Sequence, residues 1–236
     1  MNKTSMMIGA LLGTLAAATE AKADSLYVFV PTDAKAQSLE DGFAEKCPDL
    51  DVTVFGRVQD FLRQMDVEPP DAILAPAPAV QRYEAYHGAL RGVRDGEVQE
   101  NYVLLSVGEP VDTDSIGELR VGVIDILGRE GTPELLEQLF GEPVESTRVT
   151  RSGDLLPLLM FDDADAVLVS ERTAQDLREQ SRAELKVTSV DITLGLVTTG
   201  VESKDGIEKY EQCLDGLGAE INNAVDVEEW KTWESE

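Results

Sequence analysis

The chain has 236 residues with 46 acidic and 20 basic side chains, one His, two Cys and a formal net charge of −26. That balance argues against nucleic acid as a partner, because a polyphosphate needs a basic stripe to release its counterions, and against docking on anionic lipid, which needs clustered Lys and Arg. A hydrophobic share of 42% supplies a folded core instead of a disordered acidic tail, and the few His and Cys leave little for a zinc site or a Cys–His nucleophile pair.

Lys3 opens the chain, residues 6–18 form an uncharged, mostly apolar run too short for a membrane span, and Ala21-Lys22-Ala23 has the small-x-small pattern of a cleavage site. Together they read as an export signal cut after Ala23, which predicts a soluble periplasmic product of 213 residues without direct membrane insertion. Its removal takes Lys3, Lys22 and Glu20, a net +1, and leaves −27 on the mature chain.

The mature chain alternates strands and helices. Residues 26–30 (LYVFV) read as a buried strand ended by Pro31, with Asp33 placed to cap a helix that carries Ala36, Leu39, Phe43 and Ala44 on one face. Strands follow at 52–55 and 72–74, separated by a helix at 58–65, and Pro76 and Pro78 open a further helix towards Tyr86. After an apolar run at 102–107 and a polar linker at 108–117, the pattern resumes: strand 119–124, a Gly-containing loop, a helix from Thr132-Pro133 to Phe140, strand 147–149 and helix 153–161. Strand 164–169, helix 171–180, strands 187–190 and 194–199, and a helical stretch 204–233 broken near Gly216 and Gly218 complete it. This order predicts an α/β protein with right-handed crossovers and open sheets in two lobes, 24–107 plus 200–236 and 108–199. Open α/β sheets face a crevice with the loops beyond the carboxyl ends of their strands.

The exported start, LYVFVPTD, GELRVGVIDILGREGTPELLEQLFG, SGDLLPLLMFDDADAVLVSERTAQDL and KVTSVDITLGLVTTGV together resemble a type II periplasmic substrate-binding protein. The pattern is most similar to the phosphate and phosphonate group of ABC-transporter solute-binding proteins. The resemblance implies two lobes joined by a hinge, a small ligand between them and a C-terminal helix returning to the first lobe. In that group a Ser/Thr-rich loop at a second-lobe helix N-terminus holds oxyanions; here the loop is Gly128-Arg129-Glu130-Gly131-Thr132, with one hydroxyl and an intruding Glu. Return of the C-terminal stretch would also bring Cys213 to Cys47, and two Cys in an exported chain suit a disulfide.

Candidate ligand contacts follow strand ends. Thr32 and Asp33 lie after the first strand, with Asp33 either at the cleft edge or capping a helix. Ala77, within Ala75-Pro76-Ala77-Pro78, occupies a position where the resembled family contacts ligand. Arg129 either clamps a carboxylate or phosphate or pairs with Glu130 or Glu134; Thr132 either binds an anion or caps its helix. Ser152 and Ser170 are pocket candidates, and Tyr102 either stacks on ligand or joins the core. Asp162, Asp163 and Asp165 lack the Gly and distal Glu of a calcium loop, and His87 is isolated. No catalytic pair, metal set or cofactor motif stands out, so the expectation is a non-enzymatic monomer without cofactor.

The reading that results is a solute-binding protein that captures a small ligand, with an anion among the candidates, and delivers it to a membrane transporter. The alternative is a sensor or partner module of the same fold that assists a membrane receptor or an exported redox enzyme. The excess acid predicts self-repulsion that salt screens. The melting temperature should therefore rise between low and molar NaCl, and a flat profile would exclude this account.

Overall fold

A computed structural model describes residues 23–233. The export signal expected over residues 1–23 lies, except for Ala23, outside the described residues. Strand β1 (Asp24–Phe29) contains most of the first apolar run. Because strand side chains alternate, Leu26, Val28 and Val30 enter one core while Tyr27 and Phe29 enter another, and the strand is buried on both faces. Helix α1 (Ala36–Lys46) buries Leu39 and Phe43, one turn apart. Its N-cap is Lys35 without a side-chain bond, so Asp33 does not cap it. Next come β2 (Leu50–Phe55), α2 (Val58–Val67), β3 (Ala72–Pro76), and α3 (Ala77–Gln81), which stops after little more than one turn. Helix α2 buries Val58, Phe61 and Met65, an i, i+3, i+7 stripe. Strand β4 (His87–Val93) was not legible in HGALRGV, where Gly and Arg interrupt the apolar alternation.

The second lobe contains β5 (Gln99–Val107), a 3-10 turn at Thr113–Glu118, β6 (Arg120–Ile124), α4 (Gly128–Phe140), β7 (Glu145–Val149) and α5 (Leu155–Met160). It continues with β8 (Ala166–Ser170), α6 (Glu171–Gln180) and β9 (Leu185–Gly195). The chain then returns through β10 (Val197–Val201), α7 (Ile207–Asp215), α8 (Ala219–Ala224) and β11 (Glu229–Thr232). The expected terminal helix therefore ends as a strand, where Trp230 and its neighbours pair with β4.

The first sheet has the order β11-β4-β10-β3-β1-β2 and the second β7-β6-β8-β5-β9. Each has a parallel core, β2-β1-β3 and β7-β6-β8, extended by antiparallel strands. Helices cover both faces. In the first lobe Phe43 of α1 and Leu214 of α7 pack on one side and Phe61 of α2 on the other. In the second, Leu155 and Leu177 lie opposite Leu136.

The chain crosses between sheets twice, from β4 to β5 through residues 94–98 and from β9 to β10 at residue 196. The lobe limits expected at 107/108 and 199/200 thus shift: β5 belongs to the second sheet and β10 to the first. The polar stretch 108–117 connects β5 to β6 within one lobe and is no interlobe linker. The two crossings lie side by side, joined by the Leu196 N–H donating to the Val98 carbonyl at 3.0 Å. Gly195 fits there because an added Cβ would approach the Ala77 Cβ to 2.7 Å.

Cys47, just after α1, is bridged to Cys213 of α7, with 4.9 Å between their Cα atoms and a sequence separation of 166. The bond ties the returning C-terminal segment to the first lobe. A Cys47→Ser, Cys213→Ser double variant should lose on the order of 5 kcal/mol in the chain-entropy account of a loop this long. Urea unfolding reads the loss, and an unchanged midpoint would show that the tether contributes nothing.

Candidate functional site

A cavity of about 370 Å³ lies between the lobes. The segments that line it follow the carboxyl ends of β1 (Val30–Asp33), β3 (Pro76, Pro78), β6 (Ile126) and β8 (Ser170), the crevice position expected of open α/β sheets. The second crossing contributes residues 194–197, and the tether-held C-terminal segment contributes residues 223–226. Its volume is at the small end of ligand sites.

Six of the residues singled out from the sequence line this cavity: Thr32, Asp33, Tyr102, Thr132, Ser152 and Ser170. Thr32 Oγ1 accepts from the Ala34 N–H, and exposed Asp33 reaches across the cleft to Arg151 Nε at 3.7 Å. Ser170 ends β8 and caps α6, accepting from the Thr173 N–H. Ala77 is not among the lining residues. Buried at the start of α3, it packs on Gly195 and donates its N–H to the Leu196 carbonyl, so it supports the second crossing instead. Arg129 is exposed and outside the lining, and among the described residues it closes no ion pair with Glu130 or Glu134. Thr132 does not cap α4, which starts four residues earlier; its hydroxyl donates to Asp125 Oδ1 at 3.0 Å.

The turn from β6 to α4 does something the sequence did not disclose. Asp125 accepts from the Gly128 N–H and from Thr132, and pairs with Arg148 at 2.8 Å. The turn thus held projects Leu127 out of the second lobe into the first-lobe apolar cluster that contains Tyr27, Phe29, Phe61 and Val80. Arg82 of the first lobe donates to the Leu127 carbonyl at 3.2 Å. Gly128 has φ +76°, and a side chain there would strike Leu62 at 2.6 Å, so glycine is required twice over. Burying one leucine in this way is worth about 2 kcal/mol. The helix N-terminus that an oxyanion would use is therefore taken up by Asp125 and by interlobe packing.

The cavity is acidic. Among the described residues its lining includes the carboxylates Asp33, Glu100, Asp176 and Asp226 and one cation, exposed Arg172. Asp226, held at φ +62°, pairs with buried Arg94 of the first crossing. Glu100 and Tyr102 stand two apart on β5 and so share a face. Burial pushes the Tyr102 phenol well above its ordinary 10, with Glu100 and Asp226 adding to the shift, so it stays protonated at neutral pH. Burial, then Asp226, raises the Glu100 carboxyl above its ordinary 4.5, while Arg94, a hydrogen bond with Ser170 and Arg172 pull the other way. A carboxyl whose folded pKa is raised weakens the fold at pH above its unfolded value, and that penalty disappears once both states are protonated. Glu100→Gln should therefore raise the melting temperature at pH 7, and the gain should vanish as pH falls below about 4.5. Parallel melting curves across pH check the sign; a loss at pH 7 would contradict it. Glu100 was within reach of sequence reading as the i−2 neighbour of Tyr102. Asp226 was hidden because its segment was read as helix.

The chain matches no family model and no curated protein. Among solved structures, it is similar to the VFT2 domain of BvgS from Bordetella pertussis, in a double-mutant form, with 12% identity over 86% of this chain and 91% of that one and a TM-score of 0.53. A variant of arginine-bound ArgBP from T. maritima matches at 13% identity over 86% and 93% of the two chains, TM-score 0.51. The GluR0 ligand-binding core from Nostoc punctiforme, in complex with L-glutamate, matches at 10% over 86% and 95%, TM-score 0.52. The expected likeness to the phosphate and phosphonate group is not supported, in keeping with a β6–α4 turn that has no free anion cradle. Two mixed α/β sheets in two lobes, crossed twice by the chain, give this protein the type II periplasmic-binding-protein fold.

Proposed function

We propose that this chain is an exported solute-binding domain that holds a small ligand between its lobes without transforming it. The observation that carries the proposal is the cavity itself, which takes its walls from both lobes and from the second crossing. A ligand touching both lobes binds the closed arrangement better than the open one, so occupancy is converted into a shape that a membrane partner can read. Delivery to a transporter is the first form of this reading. The structural likeness to binding proteins and sensor domains supports it at the level of fold. Among the described residues no helix is long and apolar enough to cross a membrane, and no group of His, Cys, Asp and Glu is arranged for a metal.

One observation favours the sensor form. Leu127 sits in the first-lobe core, and with the Arg82 hydrogen bond it clasps the lobes through the chain's own groups. A domain closed by its own side chains reports on ligand less by opening and closing than by how firmly it stays shut.

A thermal-shift panel of amino acids, amines, carboxylates, phosphates and sugars, combined with small-angle scattering, tests both forms. The solute-binding reading expects at least one compound to raise the melting temperature, and a panel without any such compound would overturn it. In the transporter form the stabilising compound also reduces the radius of gyration of the native chain. In the sensor form the radius stays constant until Leu127→Asp releases the clasp.

A further inference from the structure

We infer that the ligand of this cleft is a small organic cation without a carboxylate, its charge set against Glu100. The inference rests on the solute-binding reading and narrows it to a chemical class.

The charges around the cavity are mostly committed to one another. Arg94 faces Asp226, Arg151 faces Asp33 and Asp154, and Arg148 is held by Asp125. Arg172 and Asp176, one turn apart on α6 and both exposed at the rim, close no ion pair among the described residues. Of the lining carboxylates, Glu100 and Asp176 close no ion pair among the described residues, and of these two Glu100 is the half-buried one, on β5. Desolvation without a counter-ion makes a carboxylate receptive to a cation, because an ammonium would restore the interaction that water supplied. An anion would meet Glu100 and Asp226, with exposed Arg172 at the rim as the one unpaired guanidinium of the described lining to offset them. Inside the enclosed volume that separates this site from one built for a free amino acid, whose carboxylate would call for a bidentate Arg beside it.

The remaining wall defines the rest of the ligand. Ile124, Leu136, Leu139 and Leu168 line the second-lobe side, and Pro76 and Pro78 line the first. Tyr102, on the same face of β5 as Glu100, offers a protonated hydroxyl and a ring. An ammonium carrying a short apolar body satisfies both ends of a cavity of about 370 Å³.

The test uses three probes of one shape: pentylammonium, 1-pentanol and pentanoate. In the mature protein at pH 7.5, pentylammonium should raise the melting temperature more than pentanol, and pentanoate should have no effect. In Glu100→Gln the ammonium should lose its advantage over pentanol, with at least a tenfold loss of affinity by NMR titration, while the surviving pentanol effect shows the cavity intact. Arg129→Gln, outside the lining, should leave the ranking unchanged. An ammonium advantage that persists in Glu100→Gln overturns the assignment. So does pentanoate matching pentylammonium, or a neutral or anionic compound stabilising the chain best in the wider panel; these outcomes leave solute binding standing. A panel without any stabilising compound removes both.

Discussion

The arrangement depends on the pairing of the two crossings. Residues 94–98 and residue 196 run beside each other, joined by the Leu196–Val98 hydrogen bond and packed on Ala77 through Gly195. Two chains bonded side by side resist twisting more than either would alone, so the lobes have one shared axis about which to move. The same crossings set the chemistry. Two residues beyond Val98 the chain presents Glu100, and Arg94 just before it anchors Asp226 from the far end of the sequence. The register shift in the β5–β9 pair, where two residues of β5 span four of β9, falls beside these side chains at Asn101–Val103.

Two further constraints act on that axis. The Cys47–Cys213 bridge fixes α7 against α1, so residues 223–226 reach the cavity from an anchored base. Across the cleft, Asp125 locks the β6–α4 turn and Leu127 enters the first-lobe core. This apolar clasp is stronger than the exposed Asp33–Arg151 pair beside it, since surface ion pairs contribute at most about 1 kcal/mol. Closure is thus dominated by packing, while selectivity is left to the charges of the enclosed volume.

Much of the scaffold was legible because parallel strands buried on both faces leave continuous apolar runs. Residues 26–30, 119–124 and 164–169 stood out for that reason, and helix 171–180 coincides with α6. Strand β4 escaped because Gly88, Arg91 and Gly92 break its run, and Gly92 is there because Val227 packs where a Cβ would stand. β11 escaped because its pairing with β4 spans more than a hundred residues, and EWKT has no local strand signal. The candidate site was readable where it followed strand ends, as at Thr32 and Ser170, and unreadable where it was assembled from distant segments, as with Glu100 and Asp226. Arg129 was misplaced because a loop residue's chemistry does not say which way the loop points.

The sequence by itself determined an α/β chain of strong negative charge whose alternating elements form two lobes with loops at a crevice, because burial periodicity and charge are local properties. Tertiary structure alone decided where the chain crosses, which carboxylates face the cavity and what happens to the helix N-terminus after β6. Those depend on Leu127 of the second lobe joining the first-lobe cluster that contains Phe61, and on side chains brought together over separations that no local pattern records.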